Sequence, residues 1–161
     1  MDTQNKDNIK FICDFMLGKL AKYLRMCGYD TKFIKNISDE KLLTLALKEN
    51  RILLTRDNAL LLRKLIKDKS LIAILVKEDN IKKQLLQLKN QLNLSIDINL
   101  SRCINCNDIL KEIKKEEIKS LVPEYVYNTQ EKFLFCPRCK KVYWNGTHIK
   151  KMRDFFKEIN N

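Results

Sequence analysis

The sequence has no run approaching the roughly twenty apolar residues that a membrane-spanning helix requires, and its opening, Met1 to Asn8, is polar with no apolar signal core. A cytoplasmic protein is therefore expected. Glycine and proline are scarce, with three and two among 161 residues, and no internal repeat or low-complexity tract stands out. With 45% of residues hydrophobic, the chain is not disordered and can bury one good core or two modest ones. Histidine occurs once, as His148. A lone histidine near a helix start more often packs or hydrogen-bonds than catalyses. A clear helix-turn-helix or recognition-helix signature is also missing, which ranks a DNA-binding regulator last among the function classes.

A cationic excess is present instead. Lys and Arg number 32 against 20 Asp and Glu, a net +12. Residues 1 to 100 hold 19 basic and 12 acidic side chains, which leaves 32 − 19 = 13 basic and 20 − 12 = 8 acidic for residues 101 to 161. Both halves are thus suited to a phosphate backbone or to an acidic membrane surface, and charge alone does not choose between them. Lysines that merely solvate helix faces would give the same bias.

Residues 10 to 100 alternate short apolar runs with longer amphipathic ones, the pattern of βα units around a parallel sheet. Phe11-Ile12-Cys13 reads as a strand ending at Asp14, followed by a helix with Leu17, Leu20, Ala21, Leu24 and Cys27 on one face and Gly28 as its stop. Thr31 to Ile34 reads as a second strand, before a helix capped by Ser38 or Asp39 and stopped at Asn50. Ile52 to Thr55 reads as a third strand, with a leucine-rich helix after it to about Lys67. Leu71 to Val76 reads as a strand buried on both faces if central, and Asn80 to Leu92 as a helix. Beyond Leu94, cysteine pairs, aromatics and both prolines appear, which places a boundary near residue 100.

Ligands of an open parallel α/β sheet bind beyond the carboxyl ends of its strands. Asp14 closes the first strand, Asp39 and Glu40 stand at the helix start after the second, and Asp57 follows the third. All four are expected at one rim, where Mg²⁺ or Mn²⁺ would offset their mutual repulsion. Such an ion can activate water against a phosphodiester. Lys19, Lys22 and Arg56 are placed to hold phosphates. Helix capping explains Glu78 and Asp79, and would serve for Asp39, Glu40 and Asp57 too. Asp14 resists that reading, because an acid abutting an apolar strand is costly to desolvate.

Six cysteines in a reducing compartment argue against a disulfide framework. Cys103-Ile104-Asn105-Cys106 and Cys136-Pro137-Arg138-Cys139 form two knuckles spaced for one structural Zn²⁺. The 29 residues between them leave room for an inserted helix around Lys115 to Leu121. Asn107 suits the left-handed conformation that often follows a knuckle, and Lys140 suits it less. Neither pair has the helical context of a thioredoxin-like redox site. Cys13 and Cys27 read as small buried hydrophobes. Tyr143 and Trp144 are expected to build the ribbon's core rather than to stack on bases.

The stretch Cys13-Asp14-Phe15-Met16-Leu17-Gly18-Lys19-Leu20-Ala21-Lys22-Tyr23-Leu24-Arg25-Met26-Cys27-Gly28-Tyr29-Asp30 closely resembles the opening of the RNase domain family named after the C-terminal part of the Mut-seven exoribonuclease. Asp39-Glu40-x-Leu42-Leu43 and Arg51-Ile52-Leu53-Leu54-Thr55-Arg56-Asp57 resemble that family's next blocks, and the ribbon with Tyr143-Trp144-x-Gly146-x-His148 resembles its ending. The resemblance implies a PIN-like three-layer α/β/α domain over residues 1 to 100 and a zinc ribbon with a terminal helix over 101 to 161. It also implies ribonuclease activity with Asp14, Asp39 and Asp57 as metal-binding acids. No small-molecule cofactor is implied. The chain departs from related PIN-like families at Asn58, where some carry another aspartate, and a fourth acid is not evident. These departures motivate an alternative, a non-catalytic RNA-binding module with a degenerate site.

Overall fold

A computed structural model describes Lys6 and residues 8–161; most of the polar opening lies outside the described residues. Phe11, Ile12 and Cys13 are fully buried in β1 (Lys10–Cys13), which the main chain leaves at Asp14 through a 3-10 turn, Phe15–Leu17. Helix α1 (Gly18–Met26) follows. It buries Leu20, Ala21 and Leu24 and ends at Gly28, whose φ of 89° explains the glycine. After β2 (Asp30–Phe33), the Ser38 side chain caps α2 (Asp39–Lys48) by accepting from the Lys41 amide. Asn50, at φ 51°, turns the chain into β3 (Ile52–Thr55).

Two short helices, α3 (Asn58–Leu61) and α4 (Lys64–Lys67), stand where one helix to Lys67 is expected. A continuous helix that buried Leu60 would turn Lys64 and Lys67 toward the core. The extended backbone at Arg63 instead brings Leu65 and Ile66 round to pack with Leu60. The next strand, β4 (Ala73–Leu75), is shorter than expected and lies at the edge of the sheet, with its residues half-buried. Helix α5 (Ile81–Leu92), capped by Asn80, completes this half.

The sheet is wholly parallel, in the order β2-β1-β3-β4. Right-handed crossovers place helices on opposite faces when the chain moves first one way from β1 and then the other. Accordingly Phe11, Cys13 and Leu54 pack with α1 and α5, while Ile12 and Leu53 pack with α2, α3 and α4.

Residues after 100 form an antiparallel sheet of β5 (Lys111–Ile113), β6 (Phe133–Phe135) and β7 (Val142–Tyr143). The helix expected around Lys115 to Leu121 is only a 3-10 turn, Lys115–Ile118, and a separate α6 (Glu124–Thr129) begins after Pro123. Proline restricts the residue before it and lacks an amide, so a helix cannot run through this point without loss.

The terminal α7 (Thr147–Asn160) returns to the first half. Its Phe155 and Phe156 meet Tyr23 of α1 edge-to-face, with centroids 5.3 and 6.0 Å away, and Lys82 pairs with Glu158 at 3.1 Å. Cys103, Tyr143, Phe156 and Ile159 thereby join the same core cluster as Leu20, Leu24 and Leu85. No helix among the described residues is long and apolar enough to cross a membrane.

Candidate active site and cysteine centre

The loops after β1 and β3 depart toward opposite faces of the sheet, so a crevice opens between them at its carboxyl edge, the usual ligand position in such folds. Asp14 and Asp57 occupy those two loops. Asp14 is only 3% exposed. Its Oδ1 accepts from the Met16 amide at 3.0 Å, and its Oδ2 accepts from the Thr55 hydroxyl and from the Arg56 amide at 3.0 Å. Three donors compensate the desolvation of this carboxylate. A carboxylate has about four acceptor directions, so about one remains.

Thr55 links the two acids, because its hydroxyl oxygen also accepts from the Asp57 amide at 2.9 Å. The Asp57 side chain is exposed and its Oδ1 caps α3, accepting from the Ala59 amide at 2.8 Å. Asp39 and Glu40 open α2 and are exposed, with Arg63 3.7 Å from Asp39 and 3.3 Å from Glu40. Arg56 pairs with the exposed Asp79, whereas Lys19 and Lys22 are exposed on α1 with no ion pair among the described residues. The structure thus joins the Asp14 carboxylate to the main chain at Asp57 through Thr55 and gathers Asp39 and Glu40 around Arg63. It does not draw three of these acids together: among the described residues, the one group of three or more potential ligands within 4.8 Å of one another is made of cysteines. Oxygen donors suit Mg²⁺ or Mn²⁺, and Mg²⁺ commonly keeps several waters while held by one or two carboxylates, so Asp14 and Asp57 fit such an ion.

Thr55 and Arg63 were not singled out by the sequence. A polar residue closing an apolar strand in phase with buried Leu53 is a signal for Thr55. Arg63 carries none, since its position depends on the break between α3 and α4. Phe15 and Met16, 72% and 53% exposed, also flank Asp14 at the rim.

Cys103, Cys106, Cys136 and Cys139 place their sulfurs within 4.8 Å of one another, with Cys103 to Cys139 and Cys106 to Cys136 both at 3.4 Å. A tetrahedral zinc with bonds of about 2.3 Å spaces its sulfurs by ~3.8 Å. Each knuckle is a tight turn: the Asn107 amide donates to the Cys103 carbonyl and the Lys140 amide to that of Cys136, both at 2.9 Å. Asn107 and Lys140 are both left-handed, at φ 72° and 60°. Burial opposes ionisation of Cys103, but bonds from the Tyr143 hydroxyl, at 3.1 Å, and from nearby amides outweigh it and lower the thiol to about 6. Burial and the adjoining thiols push Cys106 up to about 12. A divalent cation relieves that competition, so the quartet can hold zinc. Tyr143 is buried here, and His148 is exposed at the start of α7. Cys13 and Cys27 are fully buried outside the quartet, and burial raises both thiols, Cys27 to about 12.

The first knuckle is fastened to the parallel-sheet half. Buried Arg25 donates to the carbonyls of Thr31, Ile104 and Asn105 at 2.9 to 3.0 Å. Asn107 donates to Asp30 at 2.7 Å and accepts from the Thr31 amide at 2.9 Å, and Arg51 pairs with Asp30 at 2.7 Å.

No match was found among curated proteins or among solved structures. The family model described as Mut7-C RNAse domain, however, matches residues 9–156. That span takes in the sheet, the acidic rim and the cysteine quartet, and the chain belongs to the Mut7-C RNAse domain family.

Proposed function

We propose that the chain is a metal-dependent ribonuclease whose first hundred residues carry the chemistry and whose residues 101 to 161 grip the RNA. The observation that carries this reading is Asp14, a buried carboxylate at the switch point of a parallel sheet, linked through Thr55 to Asp57. Asp14 and Asp57 are the principal holders of Mg²⁺ or Mn²⁺, and Asp39 and Glu40 contribute when Arg63 turns from them to a phosphate. Such an ion supplies activated water and offsets charge on the phosphodiester. The Oδ2 of Asp57 takes no part in the cap, which leaves it to face the ion. Lys19, Lys22 and Arg56 position phosphates. Zinc on the cysteine quartet is structural, because four protein sulfurs leave no open position. Reduced thiol ligands suit a cytoplasmic location.

A second reading, a non-catalytic RNA-binding module, is favoured by the pairing of Asp39 and Glu40 with Arg63 and by the amide at Asn58. One assay separates the two: a mixed RNA panel with Mn²⁺, with chelator, and with Asp57→Asn. Cleavage by the native chain that disappears in both controls supports the nuclease. Binding without cleavage under every condition supports the module.

A further inference from the structure

A groove of about 670 Å³ runs between α1 and the ribbon, lined by Lys19, Lys22, Tyr125, Lys141, Trp144 and His148 among others. Among the described residues, no Asp or Glu lines it, whereas the hollow beside β5 contains Glu112 and Glu131 and the cleft beside β2 contains Asp30 and Asp108. Lys19, Lys22 and Lys141 are exposed and take part in no ion pair among the described residues. Lys141 is held 5.4 Å from the centroid of the Tyr143 ring, a cation over an aromatic face. Tyr125 is 69% exposed, and Trp144 is half-buried. Unpaired cations interleaved with accessible aromatic rings form the surface that single strands use, with phosphates on the cations and bases stacked on the rings. A duplex keeps its bases stacked inside and cannot use such rings.

The groove also has a direction. Helix α1 starts four residues after Asp14 at the carboxyl edge of the sheet, so Lys19 lies near the acidic rim and Lys22 about 4.5 Å further along the axis. The geometry points to an unpaired RNA strand lying in this groove, with Tyr125 as a stacking platform and Lys141 as a phosphate contact, and leading to the acids. The inference rests on the ribonuclease reading for its substrate class, and it adds a preference for single strands and residues of the ribbon that read them.

Equilibrium binding without added Mg²⁺ or Mn²⁺ tests it, using a fluorescent single-stranded RNA of mixed sequence and the same RNA annealed to its complement. The zinc-loaded chain binds the single strand about tenfold tighter than the duplex. Tyr125→Ala weakens single-strand binding about tenfold, Tyr125→Phe restores it, and Lys141→Ala reduces the slope of log affinity against log salt by about 0.7. Equal zinc content and melting temperature show that the variants fold. Unchanged single-strand binding by Tyr125→Ala and Lys141→Ala, equal affinity for duplex, or preferential capture of polyglutamate would overturn the groove assignment. Failure of the two ideas is distinguishable: cleavage with unaltered binding by the groove variants removes the groove alone, and groove-dependent binding without any cleavage removes the nuclease alone.

Discussion

Asp14 and Asp57 differ in what an asparagine would do in their place. At Asp57, the side chain caps α3 through one oxygen, and asparagine caps a helix as well as aspartate. Asp57→Asn should therefore leave stability within about 0.5 kcal/mol in urea unfolding. At Asp14, both oxygens accept hydrogen bonds, so either amide orientation sets an N–H against a donor. Asp14→Asn is expected to cost about 1–3 kcal/mol in the same measurement. Asp14 was legible in the sequence because an acid directly after a buried strand needs a reason. The partner of Thr55 was not, because its hydroxyl reaches Asp14 only through the register that pairs Cys13 with Leu54. Nor was Phe15, since sequence patterning does not distinguish an exposed phenylalanine from a buried one.

Helices α1, α2 and α5 were legible from their periodicity, and the first two also from their stops at Gly28 and Asn50. The break at Arg63 and the edge position of β4 were not, because both depend on which face neighbouring elements cover. The fastening of the first knuckle was likewise hidden, since it joins residues roughly eighty positions apart. Arg25→Met leaves three carbonyls without their donor and should lower stability by about 3 kcal/mol in urea unfolding. Asn107 combines a left-handed backbone with bonds to Asp30 and Thr31. Asn107→Gly loses only the bonds, so Asn107→Ala should prove less stable than Asn107→Gly by about 1 kcal/mol.

The cysteine pairs, aromatics and prolines beyond Leu94 place a boundary near residue 100, and one core cluster runs across it from α1 through the knuckles to α7. Purified protein is expected to carry about one zinc per chain, lost in Cys103→Ser with Cys136→Ser. Far-ultraviolet and near-ultraviolet melts should then fall together, because the halves share packing. Acid weakens the same junction. Burial of Asp30 opposes its charge, but bonds from Arg51 and Asn107 outweigh this and hold its carboxyl below the usual range. A depressed carboxylate contributes stability that is present above the unfolded value of about 3.9 and lost as pH falls through the folded one. Asp30→Asn should flatten that acid-side loss in melts between about pH 5 and 2. The central claim is that Asp57 acts with Asp14 in RNA hydrolysis, and Mn²⁺-dependent cleavage by Asp57→Asn, at melting temperature equal to the native chain, tests it most directly. A fall of about a hundredfold or more is predicted; cleavage at the native rate would contradict the account.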